Sequence, residues 1–171
     1  TVTDGLILLK QEIPDAKMLI VGSTLTGYTD SLRETLRQKG LVGDVILTGY
    51  VPEELVPYYL NLGTVCLMPY RQDTFSGKIR LPLKLFVYSA MAKPILSVPL
   101  PEVKRFKPKH VFFYHDRRRF AEYAKRILGD EKLQKNLGAY ARSFAVDFDY
   151  AKIAQRCNLI LEENLLAKRK Q

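Results

Sequence analysis

Three positively charged residues lie close together in the sequence, around the predicted start of a helix. Lys78 and Arg80 belong to a polar, glycine-containing loop, and Lys84 follows Pro82, a residue favoured in the first turn of helices. The free N–H groups and the dipole at such a helix end favour an anion. The pattern therefore indicates the binding of a phosphate group. A loop-to-helix junction that binds nothing fits the same pattern equally well.

Two further turns directly follow apolar segments and contain glycine, which lets a ligand or another backbone approach closely. Their residues are Gly22, Ser23 and Thr24 in the first turn and Gly49, Tyr50 and Val51 in the second. We interpret both turns as candidate ligand contacts. A purely structural turn is the alternative.

The apolar segments predict a parallel sheet. Five short, mainly apolar segments alternate with segments of helical periodicity, and they are 17–22, 44–48, 65–69, 94–98 and 111–114. This alternation is typical of an α/β fold with a doubly wound parallel sheet. Ligands of such sheets bind beyond the carboxyl ends of the strands, where the two turns and the cationic loop would line one rim. At 171 residues the chain has the size of one domain.

The segment 82–96 resembles a known motif. It reads Pro-Leu-Lys-Leu-Phe-Val-Tyr-Ser-Ala-Met-Ala-Lys-Pro-Ile-Leu. It is similar to the P-x-K-L-F/Y-E-Y-x-A-x-G-K-P-V/I segment of retaining GT-B glycosyltransferases of family 4, the glycosyl transferases group 1. Segments 13–22 and 45–52 are similar to two further strand-and-turn segments of that family, in the same order. The resemblance implies the C-terminal, donor-binding domain of such an enzyme, a Rossmann-like half of a GT-B fold.

The resemblance also implies roles for the predicted site residues. The turn that begins at Gly22 would contact the diphosphate or the sugar of a nucleotide-diphosphate sugar, and the backbone around Val51 would meet the base. The cations that would offset the charge of the diphosphate are Lys78, Arg80 and Lys84. The transfer needs no metal and no other cofactor in this family, and no catalytic residue is assigned.

Two positions depart from the family pattern. The family carries two glutamates eight positions apart, and these positions hold Ile79 and Val87 here. The second glutamate normally hydrogen-bonds the ribose of the donor, a contact that valine cannot make. This difference motivates the alternative function, a catalytically inactive glycosyltransferase-like domain that serves as a binding or scaffold module. A flavodoxin-like or Rossmann-type domain of another family is disfavoured because no G-x-G-x-x-G is present.

The start of the family domain has no counterpart in this sequence. That domain begins with a strand and a loop whose arginine and lysine hold the diphosphate, and Thr1 lies downstream of both. We therefore expect residues 1–171 to be one nucleotide-sugar-binding domain that lacks its first strand and belongs to a longer two-domain enzyme. An absent N-terminal domain would hold the acceptor. The domain alone would bind the donor and transfer nothing.

The net charge of +9 at pH 7 favours an anionic partner. Nucleotide phosphates and acidic lipid headgroups are candidate partners, but for most of these charges a solvated basic face is favoured first and contact with an anionic membrane surface second. Nucleic acid is disfavoured because the sequence has no zinc-finger spacing, RNP motif or helix-turn-helix. No apolar run approaches the length of a membrane span. Cys66 and Cys157 are predicted to be free thiols, which suits a cytoplasmic protein, with peripheral membrane contact as a variant.

The two histidines, His110 and His115, have no partner at metal-ligand spacing. His115 precedes Asp116 at the predicted end of a strand. We favour Asp116 as the cap of the following helix over a catalytic His–Asp pair.

Overall fold

A computed structural model describes residues 2–23, 27–71 and 81–168 of the chain. Helices and short strands alternate in it, as the sequence predicts. The helices are α1 (Val2–Lys10), α2 (Tyr28–Gln38), α3 (Val56–Leu62), α4 (Lys84–Ala90), α5 (Pro101–Arg105), α6 (Arg117–Leu128), α7 (Glu131–Val146) and α8 (Tyr150–Lys168), and one 3-10 turn spans Glu53–Leu55. The strands are β1 (Met18–Ile20), β2 (Val45–Leu47), β3 (Cys66–Met68), β4 (Ile95–Ser97) and β5 (Val111–Phe113).

The three pairs formed by the described strands are parallel, which confirms the predicted α/β fold. The strands pair in two sections, however, and not in one continuous ladder. One section has the order β1-β2, with Met18 opposite Val45, and the other has the order β3-β4-β5, with Cys66 opposite Ile95. In the described part of the chain, each strand except β4 is therefore paired on one side only, and these strands include β1 and β3.

The open sides of β1 and β3 follow from the hydrogen bonds on their paired sides. On β1, the Met18 N–H donates to the Asp44 carbonyl at 2.8 Å. On β3, the Cys66 N–H donates to the Pro94 carbonyl at 2.9 Å. Because successive residues of a parallel strand direct their backbone groups to opposite sides, the N–H and C=O groups of Leu19 and Leu67 point away from these partners. Each section thus presents an unpaired strand edge.

The helices cover the two faces of the strands and bury two clusters of apolar side chains. The first cluster includes Leu6, Leu96 and Ile127, because α1 packs on α6 over that face. It also includes Met18 of β1, so the two sections share this core. On the other face α4 packs on α7, and the second cluster includes Leu85 and Met68. Burying each large aliphatic side chain stabilises the fold by about 2 kcal/mol.

Helix ends are fixed by local hydrogen bonds, as the sequence predicts for Asp116. Its carboxylate accepts from the N–H groups of Arg118 and Arg119 at 2.8 and 2.9 Å, which makes it the cap of α6. Asp130 accepts from the Leu133 N–H at 2.8 Å and caps α7 in the same way.

The last helix, α8, lies on the surface. Each of its side chains from 150 to 163 is exposed, among them Tyr150 at 86% and Ile160 at 58%. Within the described residues, the chain has no helix with the length and hydropathy of a bilayer span.

Candidate functional site

The predicted turns after β1 and β2 meet at the carboxyl edge of the first section. The Gly22 N–H donates to the Gly49 carbonyl at 3.0 Å, and the two glycines form an isolated bridge. Their φ angles are +119° and +70°, a region in which a side chain is strained. Thr48, which sequence reasoning did not single out, donates its hydroxyl to the Gly49 carbonyl at 2.9 Å. The predicted meeting of these two turns is therefore observed.

Free backbone donors lie beside this bridge. Ser23 and Tyr50 are exposed, Tyr50 at 77%, and Val51 is half-buried. Within the described part of the chain, the N–H groups of these three residues donate to no acceptor. The Gly22 N–H, in contrast, is occupied by the bridge, so Gly22 shapes the turn and does not offer a donor. The turns can thus present N–H groups to a ligand oxygen.

A cation lies at the carboxyl edge of the second section. Lys84 is the first residue of α4, and its Nζ lies 6.0 Å from the centre of the Tyr70 ring. Tyr70 follows β3, whose last residue is Met68. The contact has cation–π geometry and holds the ammonium group near the end of β3. Sequence reasoning missed Tyr70, although an aromatic residue just after a buried strand was a usable signal.

Val87 lies three residues after Lys84 and is 46% exposed. Residues at this spacing share one face of a helix, so Lys84 and Val87 are neighbours on α4. The valine offers no hydrogen bond to a ligand there. The remaining predicted site residues, Thr24, Lys78 and Arg80, lie outside the described residues.

The largest pKa shifts are caused by burial, and they belong to Cys66, Tyr88, His110 and Tyr114. Burial raises the pKa of the Cys66 thiol to about 12, so the thiol stays protonated and is a poor nucleophile. Burial lowers the pKa of His110 to about 4. The described residues contain no group of three His, Cys, Asp or Glu side chains arranged to hold a metal ion. The described part of the edge offers a ligand backbone N–H donors and the charge of Lys84.

Comparison with known proteins assigns the family. The model of the family described as "Glycosyl transferases group 1" matches residues 4–130 of the chain. The chain belongs to the group 1 glycosyltransferases. Over 101 residues it is 34% identical to TuaH of Bacillus subtilis (strain 168), named as a teichuronic acid biosynthesis glycosyltransferase. That match covers 59% of the chain and 24% of TuaH, so the chain spans about a quarter of this relative.

Solved glycosyltransferase structures share the fold of this group 1 domain. The chain superposes on sucrose-phosphate synthase from Thermosynechococcus elongatus with a TM-score of 0.77 at 18% identity, covering 97% of this chain and 43% of that one. For TarM of S. aureus, solved as a variant with fondaparinux, α-GlcNAc-glycerol and UDP, the TM-score is 0.71 at 16% identity, with 95% and 31% covered. For the pneumococcal O-GlcNAc transferase GtfA, solved with UDP and GlcNAc, it is 0.68 at 20% identity, with 95% and 32% covered. These matches confirm the predicted Rossmann-like, GT-B type of fold.

Proposed function

We propose that this chain is the donor-binding domain of a retaining, family 4 glycosyltransferase that transfers a sugar from a nucleotide-diphosphate sugar to an acceptor. The observation that carries the proposal is the bridge between Gly22 and Gly49, which places free backbone N–H groups at the carboxyl edge of a parallel sheet. Ligands of doubly wound sheets bind at this edge. TarM and GtfA were each solved in complex with UDP, which supports a uridine or related nucleotide as the ligand class.

The residues of this domain would bind the diphosphate by charge and by backbone hydrogen bonds. The N–H groups of Ser23 and Tyr50 would donate to ligand oxygens, and Lys84 would offset negative charge as the diphosphate leaves. Such a site needs no metal. Because Lys84 is exposed to solvent, we expect its contribution to be about 1 kcal/mol.

The unpaired edges of β1 and β3 support a longer enzyme. In doubly wound domains with the strand order 3-2-1-4-5-6, removing strand 1 leaves two sections, of two and three strands. The observed orders β2-β1 and β3-β4-β5 match these sections. We therefore propose that a strand from a segment preceding Thr1 inserts between β1 and β3 and that an acceptor-binding domain accompanies it. Residues 1–171 would then bind the donor without transferring sugar.

The oxidation state of the cysteines indicates the cellular compartment of such an enzyme. Cys66 is buried and Cys157 exposed, and both are free thiols. We place the proposed enzyme in the reducing cytoplasm on this ground. Contact with an anionic membrane surface would follow from the net charge of +9.

Replacing Lys84 tests the charge assignment. We expect Lys84→Ala to weaken the binding of UDP or GDP about fivefold in a calorimetric titration, equivalent to about 1 kcal/mol. Lys109→Ala is the matched control, because Lys109 is also exposed and also lies over a tyrosine ring, that of Tyr140, at 5.1 Å. Equal affinities for Lys84→Ala and Lys109→Ala would remove Lys84 from the site.

Replacing Val87 tests the contact with the ribose of the donor. If Val87 occupies the ribose position, Val87→Glu should tighten the binding of UDP relative to pyrophosphate. A glutamate three residues after Lys84 would also pair with it and reduce its charge. Val87→Gln separates the two effects, because glutamine supplies hydrogen bonds without a charge. No gain for UDP over pyrophosphate in either variant would argue against the ribose assignment.

A further inference from the structure

A cationic groove lies at the amino-terminal ends of β3 and β4, at the edge of the sheet opposite to the candidate donor site. It has a volume of about 470 Å³ and is formed by the ends of α3 and α4, the start of β4 and one face of α7. Its charged lining residues are Lys93, Lys135 and Arg142, and no aspartate or glutamate lines it. This groove is separate from the candidate donor turns, which follow the carboxyl ends of β1 and β2.

The positive charge of the groove is not neutralised within the described part of the protein. The Lys93 Nζ donates to the Asn61 carbonyl at 3.1 Å, and the Arg142 Nη1 donates to the Ala90 carbonyl at 2.6 Å. Lys135 is exposed and has no ion pair or hydrogen bond among the described residues. The acceptors lie at the carboxyl ends of helices, each of which carries about half a negative charge. Three full positive charges exceed that compensation.

The floor of the groove is closely packed. Ala92 has a φ of +54°, a conformation that costs an alanine about 1 kcal/mol. α7 approaches this turn so closely that a Cβ added to Gly138 would lie 2.7 Å from the Ala92 carbonyl oxygen. This conformation of Ala92 ends α4, where the Lys93 N–H donates to the Tyr88 carbonyl at 3.0 Å. The cations thus surround a closely packed groove that is large enough for a phosphate group and the moiety that bears it.

We propose that this groove is a second anion site, which binds a phosphate group carried by a ligand other than the sugar donor. The free donor groups of Lys93, Lys135 and Arg142 would contact the phosphate oxygens. Each exposed contact contributes about 1 kcal/mol, so we expect an isolated phosphate to bind with a millimolar Kd. The phosphate can belong to a soluble phosphorylated compound or to an anionic lipid headgroup, and both offer the same chemistry.

Charge reversal on α7 tests the groove. Inorganic phosphate is titrated while the backbone amide NMR signals of Gly63, Lys93 and Gly138 are followed. We expect saturable shifts in the wild type and at least about fivefold weaker binding in Lys135→Glu. Lys132→Glu is the matched control, because Lys132 is exposed on the same helix and does not line the groove. Both lysines are exposed, so neither variant is expected to unfold the protein.

Vesicle binding distinguishes the two sources of the phosphate. Co-sedimentation with vesicles that contain phosphatidylglycerol should fall in Lys135→Glu, and not in Lys132→Glu, if a lipid headgroup occupies the groove. Equal sedimentation of the two variants, together with the loss of phosphate binding in Lys135→Glu, assigns the groove to a soluble compound. The proposal is overturned if phosphate shifts none of the three amides or if both variants weaken its binding equally. Because UDP binds at the other edge in our proposal, Lys135→Glu should leave UDP affinity unchanged, and the two proposals can fail separately.

Discussion

Replacing Gly138 with valine should abolish stable folding, with an expected loss of at least about 3 kcal/mol. A Cβ at this position would lie 2.7 Å from the Ala92 carbonyl oxygen, far inside van der Waals contact. The obstacle is backbone and cannot rotate away. To accommodate valine, α7 must move away from α4, and these two helices cover the core around Leu85. Thermal and urea unfolding of the purified variant would measure the effect.

The neighbouring residue supplies the control for Gly138→Val. Ala139 is exposed on the same helix, and Ala139→Val should cost only the difference in helix propensity, about 0.5 kcal/mol. Gly138→Ala should fall between the two variants, because alanine gains about 1 kcal/mol of helix propensity against the same clash. If Gly138→Val unfolds at the same urea concentration as Ala139→Val, the close approach of α7 to Ala92 is wrong.

The protein should also lose about 2 kcal/mol of stability between pH 7 and pH 5 because of His110. His110 is 1% exposed, and burial lowers its pKa from 6.5 to about 4. The unfolded chain therefore binds a proton at a higher pH than the folded chain does. The stability contributed by neutral His110 is complete above about pH 6.5 and is lost as the pH falls toward 4.

The surroundings of His110 explain why its neutral form is required. The Ser89 hydroxyl donates its one proton to the Leu85 carbonyl at 2.6 Å, so it accepts from the His110 Nε2 at 2.7 Å. The other ring nitrogen, Nδ1, carries a proton only in the charged form of His110. The ring packs on Phe144 at 5.2 Å between centroids, in a core that gives a positive charge little solvation.

Variants of the two histidines separate this effect from general acid sensitivity. His110→Gln keeps an N–H donor for Ser89 but removes the titration, so its stability should vary much less between pH 7 and pH 5. His115→Gln should behave like the wild type, because His115 is exposed. Urea unfolding at a series of pH values measures the slopes. A wild-type slope retained in His110→Gln would assign the acid sensitivity to other groups.

The sequence predicted the strands and most helices because their apolar patterns are local. Each of the five strands lies inside its predicted segment, and the cap at Asp116 was predicted from its position alone. The meeting of Gly22 and Gly49 was also predictable, since turns after parallel strands share one edge. These features depend on residues that are close in the chain or on a general rule of topology.

The features that the sequence did not reveal depend on residues that are distant in the chain. The division of the sheet into two sections follows from pairing between strands, which the apolar pattern of each strand does not encode. The Ser89–His110 hydrogen bond joins residues 21 positions apart, and reading His110 alone gave no role for it. The cationic groove combines segments around Asn61, Lys93 and Lys135, whose charges are scattered in the sequence.

The most direct test of the proposed function is a calorimetric titration of the protein with UDP, GDP and the corresponding monophosphates. Free N–H groups beside Gly22 and Gly49 and the charge of Lys84 should favour the second phosphate. We expect at least one diphosphate to bind saturably and about tenfold more tightly than its monophosphate. Equal affinity for the monophosphate and the diphosphate, or no binding by any member of the panel, would contradict a nucleotide-diphosphate site at the carboxyl edge of this sheet.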